Sequence, residues 1–186
     1  MGTNSKDPDL EDETFQVHQS SFNDVRLNIL NNDSIYCDTD NINEVPHFFN
    51  SSKYCALHLN IHSLPSKFDE LQLLINDLKN NGICLHFILL CETFLNTNNA
   101  DRFHIPGYSF LYQNRTNSNR GGIGLYLSNE FNFKERPDLC INDEGEFESL
   151  LVEIDAKDGK RNLIVGEIYR VPGTNEKSSI DKYDQI

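Results

Sequence analysis

The sequence predicts a mixed α/β fold, and the pattern of its apolar residues carries that prediction. Between residues 54 and 91 an apolar run, an amphipathic segment and a second apolar run follow one another, which is the order of a parallel βαβ unit. After residue 106 come four more apolar runs joined by short polar links, and short links favour antiparallel pairing. We therefore expect a mixed α/β protein with a parallel start and an antiparallel continuation.

The first half contains the predicted βαβ unit. Its strands cover residues 54–61 and 83–91, and the second strand is almost wholly apolar. Between them we expect a helix that begins near Ser66, because a serine hydroxyl can cap the first turn and acids that follow favour the helix dipole. Asn81 and Gly82 supply its stop signal. The apolar residues at helical spacing are Phe68, Leu71, Leu74, Ile75 and Leu78.

The second half contains two predicted antiparallel pairs. The polar loop 113–120 separates the first pair, and we expect it to be a solvated hairpin loop. Asp158 and Gly159 form a hairpin turn signal within the second pair. A charged tail with Asp181 and Asp184 has the pattern of a helix start. The predicted strands cover residues 107–112, 122–127, 148–154 and 162–169.

Charge divides the chain into two parts. The formal net charge is −13, and residues 1–52 hold ten acids but two bases. We expect this segment to be an acidic, disordered leader and residues 53–186 to form the folded part. The acidic balance argues against non-specific coating of DNA, but it leaves room for an enzyme that meets nucleic acid through a local groove and a bound metal.

Cellular location is predicted from signals that the sequence lacks. Neither a signal peptide nor an apolar stretch of membrane-spanning length is present, so we expect a soluble, intracellular protein without a membrane partner. The five cysteines form no CxxC pair. We expect them to be small buried hydrophobes rather than a disulfide framework or a zinc site.

Three polar residues stand where predicted strands end. Asn60 and Glu92 end the two parallel strands, and Tyr169 ends the last strand. Ligands of open α/β sheets gather beyond the carboxyl ends of strands, so Asn60 and Glu92 should lie side by side. Carboxylate and amide oxygens are ligands that Mg²⁺ prefers. For any one of these residues alone, the better explanation is that a strand meets solvent there.

Five short motifs point to one family. They are LNIHSL at 59–64, LCETFL at 90–95, IPGY at 105–108, RGGIGLY at 120–126 and GEIYR at 166–170. With these motifs the chain resembles the endonuclease/exonuclease/phosphatase superfamily, and within it the apurinic-type endonuclease domain of non-LTR retrotransposons. The resemblance runs from about Cys55 to the last residue, with the motifs in the family's order.

This resemblance implies specific roles. Asn60 matches a residue that lines the metal and phosphate site, and Glu92 matches the family's metal-binding glutamate. Tyr169 matches the tyrosine that contacts the scissile phosphate of DNA, and Arg170 beside it is implied to bind phosphate. The implied cofactor is Mg²⁺ or Mn²⁺. The implied reaction is a DNA nick that leaves a 3′-hydroxyl, which primes reverse transcription in retrotransposons.

The resemblance also implies that part of the domain is missing. The family's fold is a four-layer α/β sandwich, in which two mixed β-sheets are flanked by helices. Its Gly-Asp-x-Asn and Ser-Asp-His motifs should follow Tyr169, and the sequence holds neither. We therefore expect a fragment without its C-terminal half, marginally stable and catalytically inactive, with apolar faces at 85–90 and 163–168 partly uncovered. The missing half or a reverse transcriptase region is the expected partner.

One departure and two alternatives remain open. DNA-repair members of the superfamily carry an acid where this chain has His62, which argues against a repair role. The first alternative is a superfamily phosphatase or lipid phosphodiesterase. The second is a non-catalytic relic or binding module from a decayed element. A nuclear location is expected only for an active element. The glycines at 121, 122 and 124 are interpreted as turn and close-packing residues, because no P-loop Lys-Ser/Thr follows.

Overall fold

Among the residues that the structure describes, two β-sheets and two α-helices form a mixed α/β fold, as the sequence predicts. The computed structural model describes residues 54–96, 100–118, 120–155, 161–174 and 176–184, so the expected leader lies outside the described residues. No helix within these ranges is long and apolar enough to cross a membrane. The elements are β1 (Ala56–Asn60), α1 (Leu64–Asn80), β2 (Phe87–Cys91), β3 (Tyr108–Gln113), β4 (Ile123–Ser128), β5 (Phe133–Glu135), β6 (Phe147–Ile154), β7 (Leu163–Arg170) and α2 (Glu176–Tyr183).

The βαβ unit is present, but its helix begins earlier than predicted. β1 and β2 pair in parallel. α1 starts at Leu64, with Pro65 in its first turn and Ser63 at the N-cap position without a side-chain capping bond. The prediction that Ser66 caps the helix is therefore wrong: its hydroxyl donates to the Ser63 carbonyl across 3.0 Å. Proline is well suited to the first helical turn, where its missing N–H is not needed.

The strands form two separate sheets. Sheet A has the order β1-β2-β4-β3, and sheet B has the order β5-β6-β7. The predicted antiparallel pairs β3–β4 and β6–β7 are confirmed. The short strand β5 was not predicted, and the Asp158-Gly159 turn lies outside the described residues. The charged tail forms α2, as its pattern indicated.

The core has one layer on each side of sheet A. Successive residues of β2 point to opposite faces: Ile88 packs with the α1 residues, whereas Leu89 packs with residues of sheet B. All five residues of β2 are buried. The expectation that residues 85–90 lack cover is therefore wrong, because α1 and sheet B already cover both faces. On the outer face of β7, by contrast, Ile164 is 41% exposed.

Candidate active site

Asn60, Glu92 and Tyr169 meet at the end of the two sheets. The register pairs Asn60 with Cys91, so Asn60 lies beside Glu92, the residue after Cys91. The Asn60 side chain also helps to lower the pKa of the Glu92 carboxyl. The two therefore lie side by side, as the sequence predicts. Tyr169 reaches them from sheet B, where its hydroxyl donates to Glu92 Oε1 across 2.5 Å. The structure brings together three of the four residues to which the sequence assigned roles.

His62 completes the group around Glu92. Its Nδ1 lies 2.8 Å from Glu92 Oε2, and its ring packs edge-on against Phe94 with centroids 5.1 Å apart. The imidazole is 72% exposed while the Glu92 side chain is 17% exposed. Both carboxylate oxygens are thus bonded by side chains from different elements. Sequence reasoning noted His62 only as a departure from relatives, although its place two residues after Asn60 was a usable signal.

These bonds fix the charge of the site. Hydrogen bonds from Tyr169, His62 and Asn60, in that order of size, lower the pKa of Glu92, so the carboxylate is ionised at neutral pH. Burial and the bond to Glu92 raise the pKa of Tyr169. The tyrosine therefore keeps its proton and acts as a hydrogen-bond donor. The site combines one fixed negative charge with one neutral hydroxyl donor.

The backbone around the site is strained. In the described part of the chain, four non-glycine residues have positive φ, which is uncommon for residues with a Cβ. They lie in the two turns that follow β1 and β2 and are His62 (46°), Ser63 (96°), Glu92 (55°) and Phe94 (53°). Strained residues of this kind cluster at functional sites, where surrounding bonds hold them. Here Ser63 N–H donates to Glu92 O across 2.9 Å and Leu64 N–H donates to Thr93 O across 2.9 Å.

Gly121 and Gly122 bind the backbone of the turn that follows β2. Thr93 N–H donates to Gly122 O across 3.1 Å, and Phe94 N–H donates to Gly121 O across 2.9 Å. Gly121 has a φ of +86° and Gly122 a φ of +82°. A Cβ on Gly122 would lie 2.9 Å from Thr93 Oγ1. The interpretation of these glycines as turn and close-packing residues is confirmed.

A buried ion pair lies beside Tyr169. Arg115 donates its Nε–H to Glu148, and their side chains are 12% and 5% exposed. Glu148 also accepts from Gly122 N–H across 3.0 Å, and it stands opposite Tyr169 in the β6–β7 register. The expectation of a wholly solvated loop at 113–120 is therefore wrong at Arg115. No local pattern could have revealed this pair, because its members are 33 residues apart.

Arg170 does not join the site. It follows Tyr169 on β7, so it belongs to the opposite face of sheet B. Its Nη1 donates to Thr174 O across 3.3 Å, and its side chain is exposed. The charge of Arg115 acts to lower the pKa of Tyr169, against the larger opposing effects of burial and Glu92. The phosphate-binding role of Arg170 stays a prediction.

The donor set fits a hard divalent cation that keeps most of its water. Glu92 offers carboxylate oxygens and Asn60 an amide oxygen, at the open end of the sheets. Mg²⁺ is commonly held by one or two carboxylates together with water and substrate phosphate, not by a cage of protein ligands. Among the described residues, Glu92 is the one carboxylate that forms a hydrogen bond with His62 or Tyr169. The group could therefore anchor a metal but not enclose it.

Comparison of the chain with protein-family models and with curated proteins found no match. A function must accordingly be argued from the geometry of the residues and from the motifs that carry the family resemblance.

Proposed function

We propose that the chain is the N-terminal portion of a metal-dependent phosphodiesterase domain, of the apurinic-like DNA endonuclease type that retrotransposons encode. The observation that carries the proposal is the convergence of Glu92, Asn60 and Tyr169 on two strained turns. Sequence motifs and spatial contacts select the same three residues independently. In this proposal sheets A and B belong to a four-layer α/β sandwich whose remaining strands and helices come from a C-terminal half.

The proposed roles follow from the chemistry of each group. Glu92 and Asn60 would hold Mg²⁺ or Mn²⁺, which when bound neutralises charge that develops on phosphate oxygens. Tyr169 retains its proton and so can donate a hydrogen bond to a phosphoryl oxygen. The buried Arg115–Glu148 pair and the glycine turn keep these side chains in place. DNA is the proposed substrate, because the motifs resemble the retrotransposon group most closely.

The 186-residue chain is proposed to bind metal and the phosphate backbone without cleaving it. The family resemblance assigns water activation to an Asp–His pair of the C-terminal half. Among the described residues, no aspartate bonds His62, whose carboxylate partner is Glu92. A C-terminal half of the sandwich, or a reverse transcriptase region in a longer protein, is therefore the proposed partner.

Manganese binding tests the metal site directly. Mn²⁺ replaces Mg²⁺ at oxygen sites, and water-proton relaxation reports its binding. We expect the chain to bind Mn²⁺ and to bind a short DNA duplex more tightly in its presence. Glu92→Gln should abolish both effects, while Glu70→Gln on the exposed side of α1 should leave them unchanged. Equal Mn²⁺ binding by the chain and by Glu92→Gln would reject the site.

Cleavage distinguishes the enzyme from the alternatives. The chain should not nick supercoiled plasmid in Mg²⁺, and a version extended by the Gly-Asp-x-Asn and Ser-Asp-His half should do so. In that extended protein Glu92→Ala should stop nicking. DNA binding that survives Glu92→Ala, without nicking by the extended parent, would instead support a non-catalytic binding module. Hydrolysis of a phosphoinositide or a phosphate monoester in place of DNA would support the phosphatase alternative.

A further inference from the structure

A second cluster of reactive side chains lies near the first, on the inner faces of both sheets. It consists of His58 on β1, Cys91 on β2 and Glu167 on β7, and one ligand atom from each lies within 4.8 Å of the other two. His58 Nε2 is 3.0 Å from Glu167 Oε1. The three residues are far apart in sequence, so no spacing motif marks them. The expectation that the cysteines are small buried hydrophobes is confirmed in its burial part for Cys91, which is 3% exposed, and is wrong for Cys84, which is exposed.

Strand alternation explains why the three side chains meet. Cys91 shares its face of β2 with Phe87 and Leu89, which pack against sheet B. Glu167 shares its face of β7 with Val165 and Tyr169, which pack against the same cluster. Because His58 is bonded to Glu167, the imidazole lies between the edges of the two sheets. The cluster thus joins three strands of both sheets.

The burial of this cluster needs a chemical explanation. Glu167 and Cys91 are each 3% exposed, whereas the His58 side chain is 62% exposed. A buried carboxylate is costly unless it is paired or binds a metal. The described hydrogen-bonding partner of the buried Glu167 carboxylate is the His58 imidazole.

We propose that His58, Cys91 and Glu167 form a binding site for a borderline-soft transition metal, with Zn²⁺ as its natural occupant. One thiolate, one imidazole and one carboxylate are typical zinc donors, and three protein ligands leave a fourth position for water or a substrate group. The exposed side of His58 places that position toward solvent.

The distances allow an ion with small movements. Zinc bond lengths and tetrahedral angles place ligand atoms about 3.4–3.7 Å apart. The His58–Glu167 separation of 3.0 Å is below this range, and the limit of 4.8 Å for the cluster is above it. An ion would push His58 and Glu167 slightly apart. His58 lies on the edge strand of sheet A, so it has freedom to adjust.

This site is chemically distinct from the one around Glu92. Thiolate and imidazole ligands favour Zn²⁺ and Co²⁺, while the oxygen donors of Glu92 and Asn60 favour Mg²⁺ and Mn²⁺. The proposal does not depend on phosphodiesterase activity. Its metal would connect β1 and β2 of sheet A to β7 of sheet B. We therefore expect it to stabilise the contact between the sheets and to fix the strand that carries Tyr169.

Cobalt substitution tests the proposal with the 186-residue chain itself. Co²⁺ titration should give one equivalent of binding, a thiolate-to-metal charge-transfer band in the near ultraviolet and visible bands of tetrahedral intensity, all displaced by Zn²⁺. Cys91→Ser should lose the charge-transfer band. His58→Gln should weaken binding by at least about 100-fold, since loss of even an outer partner of a ligand costs about 10- to 100-fold. His58 is the safer variant because its side chain is exposed.

Matched variants separate this site from other thiols and from the Glu92 site. Cys84→Ser changes an exposed free cysteine and should leave the cobalt spectrum intact, as should Glu92→Gln. Zn²⁺ at 100 times its dissociation constant should raise the melting temperature by on the order of 10 °C, and His58→Gln should remove that rise. Absence of a thiolate band in the parent chain, or its persistence in Cys91→Ser, would overturn the proposal.

Discussion

The hydroxyl of Tyr169 donates to the Glu92 carboxylate across 2.5 Å and thereby bonds sheet B to sheet A. The two residues are 77 positions apart, and each stands at the carboxyl end of its strand. Glu92 also has a positive φ of 55°, so the bond holds a side chain whose backbone is already strained. A contact of this kind couples the geometry of the candidate site to the packing of the two sheets.

Tyr169→Phe should lower the free energy of unfolding by about 1–1.5 kcal/mol. Hydrogen bonds to charged groups contribute about 1.5–3 kcal/mol, and the partial exposure of this site reduces that value. Urea unfolding followed by circular dichroism measures the change. Tyr112→Phe removes the hydroxyl of a tyrosine that is 37% exposed and should have almost no effect. Equal midpoints for the two variants would show that the Tyr169–Glu92 bond contributes nothing.

Gly122→Ala should destabilise the protein far more than Gly145→Ala. Both glycines have positive φ. A Cβ on Gly122 would lie 2.9 Å from Thr93 Oγ1 and 3.0 Å from Gln113 O, whereas a Cβ on Gly145 would have no heavy atom within 4 Å. The left-handed backbone alone costs about 1–2 kcal/mol. The clash against buried Thr93 should raise the cost at Gly122 to about 3 kcal/mol.

Thermal and urea unfolding of both glycine variants check this difference. A Gly122→Ala protein as stable as Gly145→Ala would mean that the turn after Glu92 adjusts freely. That result would show that the glycine pair does not hold the positive φ values of this turn.

The sequence predicted those features that depend on local pattern. The apolar runs of β1 and β2, with the helical spacing between them, identify the βαβ unit, and its parallel pairing places Asn60 beside Glu92. The expectation that residues 85–90 are partly uncovered is wrong, because the cover of β2 by sheet B comes from strands about 60 residues further along the chain.

Features set by long-range contacts were not predictable. Ser66 has the residue type of a helix cap, but bonds from Ser63 and Leu64 to the turn after β2 begin the helix earlier. Arg115 stands in a polar loop whose composition indicates solvent, yet its partner Glu148 is buried on β6. In both cases the deciding partner lies outside the sequence window that local reasoning uses.

Arg115→Met should destabilise the chain by about 3–5 kcal/mol, because it leaves a buried carboxylate without its cation. Glu148 then keeps its bond from Gly122 N–H alone. The double variant Arg115→Met with Glu148→Gln should recover part of this loss, since no buried charge remains unpaired. A double-mutant cycle from urea unfolding measures the coupling. Additive effects would contradict a direct buried pair.

Arg136→Gln should make stability less sensitive to acid. Arg136 bonds Asp138 through Nη2 across 2.7 Å and Glu153 through Nη1 across 2.6 Å. It lowers the pKa of Asp138 as the largest cause, and it lowers that of Glu153 as the second cause after Asn162. A carboxyl group whose pKa is lowered by folding stabilises the fold at pH values above its pKa in the unfolded chain, which is about 3.9 for Asp and about 4.3 for Glu. This stabilisation is lost as pH falls through the lower folded values.

Urea midpoints measured from pH 6 down to pH 3 give the test. The parent chain should be more stable than Arg136→Gln at pH 6, and the difference should shrink as the two carboxylates become protonated below about pH 4. Arg102→Gln, at an exposed position in a short 3₁₀ turn, should follow the parent at every pH. A difference between the parent and Arg136→Gln that stays constant down to pH 3 would assign the role of Arg136 to packing of its side-chain methylenes and not to charge.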